Sequence, residues 1–482
     1  MSFSSRHVDR RVFLTLASAT SISSNHEIRA DKIGESVHDV IVVGAGAAGM
    51  EAARFLIDRG RDVLILEASD RIGGRIRSHT LGDTRIELGA EELYLPKNNP
   101  VHRAVATTVG EGALVPVYVG DSMLSMDGRL ISEDSNAASR DPDVNEYWSY
   151  TSARYKLRQI KSRKSSAADE VLRQFGVDRN HRAWHLYENG IAGGVHGTSL
   201  HRLGAASVAL QGDRWMLSER VLGLSTKDVG YTDVLNQAWW NSITKHVRLN
   251  SPVIRIDRRG ENVVLEQANG LRHLAKKVIV TVSIGILQKG IIDFAPPLPK
   301  KTTSAYQNIG MGHGMKIAIR FKNPFWGNLA YLTHAGLSSN CWSPTSYKTG
   351  SQSHTLMFYP MGDNADRLQS IAEREDGDQA ILRVCLSDLD QYFGGKATAT
   401  FIEGVVQNWT QSPWILGSYS YPMPATYRTR SDNCRTDLQS PVDDKIFFAG
   451  EATNPDNPSC VPGAVQEGRR VAKMINSQLS TA

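Results

Sequence analysis

Apolar and polar positions along this chain fall into contrasting textures. The run VHDVIVV from Val37 to Val43 is short, apolar and ends in glycines, which predicts a parallel strand buried on both faces rather than a helix. Met50 to Arg59 then carries helical periodicity, and Asp62 to Glu67 (DVLILE) reads as a second strand. Strand, glycine turn, helix and strand within about 30 residues make a βαβ unit. From roughly Asn99 to Trp240 the texture changes to helical periodicity with many charges and several Trp and His residues. Strand patterns return at His246 to Ile256, Asn262 to Glu266 and Lys277 to Val282. Met315 to Phe321 alternates strictly, with Met315, Ile317, Ile319 and Phe321 on one face and Lys316, Ala318 and Arg320 on the other. The chain closes with Lys445 to Ala449, Gly450-Glu451, a polar loop and a helix over Gly463 to Ile475.

This order predicts an α/β cofactor-binding domain interleaved with an α+β substrate domain. The expected division is 1–36 as a patternless leader, with ordered structure starting at Val37. Residues 37–98, 241–298 and 435–482 are the three pieces of the cofactor domain, and 99–240 (helical) and 299–434 the two pieces of the substrate domain. At 482 residues the chain exceeds the size at which one core keeps growing, so two domains are the default.

Composition narrows the classes. Apolar residues at 41% and charged residues at 22% are ordinary for a globular enzyme, and no run approaches the roughly 18 apolar residues of a membrane span. A net charge of +5 is mild, and the one tight basic cluster, Lys161-Ser162-Arg163-Lys164, reads as a solvated loop, so nucleic acid is not an expected partner. Cys341, Cys385, Cys434 and Cys460 are far apart, with neither C-x-x-C nor zinc-type His spacing, which points to neither a disulfide framework nor a metal site. Asp9-Arg10-Arg11-Val12-Phe13-Leu14, followed by a modestly apolar stretch, resembles a twin-arginine export signal, although Asp9 stands where Ser or Thr is usual. The expectation is a periplasmic or secreted protein, with a disordered basic arm on a cytoplasmic one as the alternative.

Gly44, Gly46 and Gly49 form G-A-G-A-A-G between a strand and a helix. The first glycine permits the tight turn, the second lets backbone approach a pyrophosphate, and the third lets helix pack on strand. The diphosphate then rests on the helix N-terminus. Glu67 ends the second strand, where a carboxylate accepts from ribose hydroxyls and repels a 2′-phosphate.

Gly73-Gly74-Arg75 in LEASDRIGGR resembles the extended motif of FAD proteins of the monoamine and polyamine oxidase superfamily. The resemblance continues through IELGA (86–90), Val229-Gly230-Tyr231, Ser251-Pro252-Val253, FAPPLP (294–299), Gly310 to Trp326 and FAGEATNPDNPSCVPGAVQEG (448–468), all in family order. It implies a two-dinucleotide-binding-type fold and FAD as cofactor. Gly74 and Arg75 would close over the diphosphate, Val253 would meet the adenine through its backbone, Glu451 would lie near the ribityl and diphosphate groups, and Val461 would present an N–H to the flavin pyrimidine. Pro462 replaces a frequent His and suits the first helical turn. Lys316, a solvated lysine on composition alone, falls in GHGMKIAIRFKNPFW, which resembles the segment that sets a lysine against flavin N5 through a water.

Two aromatic faces commonly flank the amine in this family. Tyr419 supplies one, and Cys460 stands where the second is often a Tyr. Ser418 occupies the place from which some relatives tether flavin through cysteine, so FAD is expected to be non-covalent. Glu91 and Glu92 would suit a second cationic centre of a di- or polyamine, with exposed loop acids as the equal alternative. His185, His196, His201 and Trp215 read first as core or surface residues. The implied reaction takes a small-molecule amine and O2 or another acceptor. A C–C desaturase of the same fold and a flavin-bearing binding module remain the rivals.

Overall fold

Alternate residues of the first strand enter different cores. Val40 and Val42 join Val63, Ile65, Ile279 and Phe447 on one face, while Ile41 and Val43 join Leu64, Leu66, Val278, Val280 and Phe448 on the other. That division requires a sheet covered on both sides, which is why these strands read as continuous apolar runs. The structure, a computed structural model, describes residues 33–93, 99–116, 120–133, 135–148, 166–205, 222–224, 229–344, 353–424, 426 and 433–481. The arginine pair, the basic cluster at 161–164 and Trp215 lie outside the described residues.

The first sheet has eight strands. Its path runs Asp293–Ala295, Val253–Asp257, Val263–Gln267, Arg272–Val280, Ile33–Val43, Val63–Leu66 and Val247–Arg248, and Ile446–Phe448 pairs in parallel with the end of Arg272–Val280. Ile33–Val43 is parallel to both its neighbours. It starts four residues before the expected Val37, pairing Ile33 with Arg272. The expected strand His246 to Ile256 is two strands, broken where Asn250 adopts φ 51° and Pro252 has no N–H to give. The break is tied down by Asn250 N–H to Ser69 O (2.9 Å) and Ser251 N–H to Glu67 O (2.8 Å). The C-terminal helix spans Val461–Thr481, longer than Gly463 to Ile475, and packs on the helix Ala47–Ile57 so closely that a Cβ at Gly468 would lie 2.2 Å from Ala48 O.

The second sheet has seven strands in the order Phe401–Asn408, Met315–Phe321, Thr355–Phe358, Asn340–Trp342, Leu329–Thr333, Asp121–Met126 and Arg129–Ser132. The last two correct the expectation that 99–240 is helical: two strands of that stretch complete this sheet, and Leu114–Pro116 pairs with Leu222–Leu224. The alternation over Met315–Phe321 also needs correction, because both its faces are covered. Met315, Ile317, Ile319 and Phe321 pack on helices Asp363–Arg374 and Asp378–Phe393, and Ala318 packs with Trp342, Met357, Leu81, Ile86 and Leu88. Lys316 lies on that second face, at the seam between the two sheets, and is 4% exposed.

Candidate active site

The glycine turn sits between strand and helix as its spacing requires. Gly44 has φ +104°, and a Cβ at Gly49 would lie 2.0 Å from Gly44 O, so helix and strand meet there only because both are glycine. Gly46 is the N-cap of Ala47–Ile57, with no side-chain cap and no acid in the first turn, and a Cβ there would meet nothing within 4 Å. This turn offers open space in front of unpaired N–H groups at a helix N-terminus. Glu67 Oε2 accepts from Ala45 N–H at 2.6 Å and Oε1 accepts from Ser69 N–H at 2.9 Å. It therefore pins the turn; Oε1 accepts from Ser69 Oγ as well (2.7 Å), and Oε2 keeps lone-pair capacity for a hydroxyl. Gly73 N–H donates to Ala45 O at 2.8 Å, laying the Gly73-Gly74-Arg75 loop across the turn. Val253 is buried at the start of its strand and pairs with Gln267.

Arg75 leads from this loop to the second acid, Glu451. Its Nη1 donates to Glu451 Oε1 (2.9 Å) and to Ser418 O (2.8 Å). Glu451 also accepts from Ser420 N–H (3.2 Å), Ser420 Oγ (2.6 Å) and Ser459 N–H (2.9 Å). Burial alone would raise the Glu451 carboxyl, but the guanidiniums of Arg75 and Arg435 outweigh it and hold the group below the ordinary carboxylate range. Arg435 is fully buried and donates through Nη1 to Ser420 Oγ (2.7 Å) and Ala452 O (3.0 Å). Both residues flanking Tyr419 are thus fastened to the Arg75–Glu451 pair. Leu416 and Ser459, just ahead of Ser418 and Cys460, hold φ of 56° and 63°. Left-handed backbone at non-glycine residues costs on the order of 1–3 kcal/mol each and clusters at functional sites.

Lys316 Nζ donates to Glu91 Oε2 (2.5 Å) and Gly89 O (3.1 Å) and lies 5.2 Å from the centre of the Trp342 ring. Trp342 stacks on Tyr331 (6.3 Å) and meets Tyr359 edge-on (5.9 Å), and Tyr359 shares a hydroxyl hydrogen bond with Tyr419. Burial first, and the Glu92 charge as a further cause, push the hydroxyls of Tyr331, Tyr359 and Tyr419 up. The Cys460 thiol, pushed up to about 12 by burial, donates to Asn457 O at 3.3 Å immediately before the helix that starts at Val461.

A family model described as flavin containing amine oxidoreductase matches residues 47–476. The chain belongs to this family. Its cofactor is FAD, and the hydroxyl at Ser418 is in keeping with non-covalent binding. Among relatives, the mouse (Mus musculus) lysine-specific histone demethylase 1B is 29% identical over 468 residues, covering 90% of this chain and 52% of the demethylase. A probable polyamine oxidase 4 of Arabidopsis thaliana is 29% identical over 456 residues, covering 89% of this chain and 85% of the oxidase. The chain spans about half the length of the demethylases it matches. In fold it is similar to the cyclohexylamine oxidase of Brevibacterium oxydans IH-35A, with TM-score 0.74 at 22% identity over 92% of this chain and 100% of that one. The α/β architecture expected from the sequence, an FAD-type domain with a parallel βαβ unit interleaved with an α+β substrate domain, is the fold of these oxidases.

The residues present fit FAD: an open Gly46 cradle at one helix N-terminus, a second helix starting at Val461 without an acid in its first turn, and the Glu67 and Glu451 carboxylates between them. Sequence reasoning missed Tyr331, Trp342, Tyr359 and Arg435. Trp342 and Tyr359 reach Lys316 through strand pairing (Trp342 opposite Met357), which no local pattern encodes; the short apolar run TLMFY at 355–359 was the one available signal. His185 is bonded to Ser125 O (2.7 Å), His196 is buried at the end of helix Leu186–Val195, and His201 lies 3.6 Å from Asp363, as core and surface residues do.

Proposed function

We propose that this protein oxidises a C–N bond of a small-molecule amine, releasing an imine that water hydrolyses to aldehyde or ketone plus amine, with O2 (yielding H2O2) or another acceptor taking the electrons. The observation that carries this reading is the juxtaposition of Lys316, Tyr419, Tyr359, Trp342 and Glu92 beside the Gly89 loop. FAD, when bound, supplies the two-electron oxidation. The chain supplies orientation and electrostatics. Tyr419 and Tyr359 give π-faces that attract a cation and align a C–H donor. Cys460 would form the opposite wall, a small one where a second aromatic ring would narrow the space. Lys316 holds a proton-bearing group at the seam, where it would serve flavin N5. Gly74 and Arg75 would close over the diphosphate, Val253 would meet the adenine, and Val461 would offer its N–H to the flavin pyrimidine.

Glu92, whose charge is felt by Tyr331, Tyr359 and Tyr419, suits the distal ammonium of a di- or polyamine. An anaerobic screen of mono-, di- and polyamines for flavin bleaching tests the reading. Bleaching by diamines in preference to monoamines is expected, and no bleaching by any amine with FAD bound overturns it. We also propose export of the folded protein through Arg10-Arg11. Changing both to Lys should retain it in the cytoplasm, and an unaltered protein found wholly in the cytoplasm of its host overturns that proposal.

A further inference from the structure

Glu91 and Lys316 are brought together from elements 225 residues apart, and neither faces bulk water: their side chains are 15% and 5% exposed. Glu91 has both oxygens committed, Oε2 to Lys316 Nζ and Oε1 to Trp342 Nε1 at 3.2 Å. Lys316 has three N–H donors, of which Glu91 and Gly89 O take two, leaving one to be aimed. The loop that carries Glu91 is itself fixed to the cofactor segment, since Ala90 N–H donates to Arg75 O at 3.1 Å. An ammonium this buried is costly without a counter-charge, and a carboxylate this buried is costly without donors, so each supplies what the other lacks.

We propose that Glu91 is a positioning residue for Lys316. Trp342 holds Glu91, Glu91 and Gly89 hold the ammonium, and the one remaining N–H is thereby directed at the flavin side of the seam. This rests on the reading of Lys316 given above. It also gives Glu91 a role within the protein, serving its own cation.

The test is a double-mutant cycle in the FAD-bound enzyme and its apoprotein, with Glu91→Gln, Lys316→Met and the pair. Glu91→Gln should slow flavin reoxidation by about 10-fold or more while changing the KM for the amine by less than about 2-fold, and Glu91→Asp should recover part of the rate. In the Lys316→Met background the same change should add less than about 2-fold, because its effect passes through the lysine. Apoprotein melting temperatures should show the same coupling, with the double variant more stable than the sum of the singles allows. Additive effects on rate and melting overturn the proposal, as does a raised KM with normal reoxidation, which would make Glu91 a substrate contact. Should the protein bleach with no amine, the function reading fails, while the apoprotein melting cycle still decides whether residues 91 and 316 act as a pair.

Discussion

Glu87 holds a carboxyl group between opposed demands. It is mostly buried, yet it accepts from Tyr231 N–H (2.7 Å) and Ser78 Oγ (2.9 Å) and feels Lys316. Burial wins and pushes the group up to about 7, from 4.5. A carboxyl raised on folding contributes stability that is complete below pH 4.5 and is lost as pH climbs through about 7. Glu87→Gln, which keeps an acceptor for the same donors, should therefore flatten the stability profile between those limits, by up to about 3 kcal/mol. Melting curves of both proteins that run parallel from pH 4.5 to 8 would sink this. Lys316→Met should slow reoxidation of the reduced flavin by about 10- to 1,000-fold with little change in amine binding. Rapid mixing with O2 after anaerobic bleaching measures it, and near-normal reoxidation removes the lysine from the chemistry. At this scale the sequence was readable where chemistry is local: Gly44, Gly46, Gly49 and Glu67 meet within one βαβ unit. It was unreadable where a second layer decides, since the Lys316 ammonium meets Gly89 O, Glu91 and the Trp342 ring, all brought in by distant segments.

Elements were legible in proportion to how far their pattern depends on their own residues. Met315–Phe321 has the expected bounds, while Asp121–Met126 reads as part of a helical stretch because its role, pairing in parallel with Leu329–Thr333, depends on residues some two hundred positions away. The helix Ala47–Ile57 tests the turn before it. A methyl at Gly49 would strike Gly44 O, so Gly49→Ala should force helix from strand and lower both melting temperature and FAD affinity. A methyl at Gly46 meets no protein atom, so Gly46→Ala should leave apoprotein stability within about 1 kcal/mol yet weaken FAD binding by 10-fold or more, about 1.4 kcal/mol. Calorimetric titration of FAD into both apoproteins separates the two. Equal loss of apoprotein stability would mean that Gly46 serves the fold and not the cofactor.

At the scale of the whole molecule, the proposed cofactor site coincides with the seam between two sheets. Trp409 Nε1 donates across it to Leu88 O at 2.8 Å, Arg77 bonds Gln407, and Arg75 joins Glu451 to the backbone beside Tyr419. A ligand seated there is held by both halves, so FAD should stabilise the assembled protein far more than either sheet alone would explain. Because Ser418 offers no thiol for a thioether, that stabilisation should follow mass action: about 2.7 kcal/mol at free FAD 100 times its dissociation constant, and a further 1.4 for each tenfold excess. For a chain of this length, that is a rise of a few degrees in melting temperature, continuing logarithmically with added FAD. Acid precipitation should first release the yellow chromophore into the supernatant, and FAD added back to the renatured apoprotein should restore the higher melting point. A melting temperature indifferent to added FAD, with colour retained in the washed pellet, would mean a covalent tether formed from a residue other than Ser418. An indifferent melting temperature with colour released would mean that the seam closes without the cofactor, and that the contacts of Arg75 and Trp409 suffice to join the two sheets.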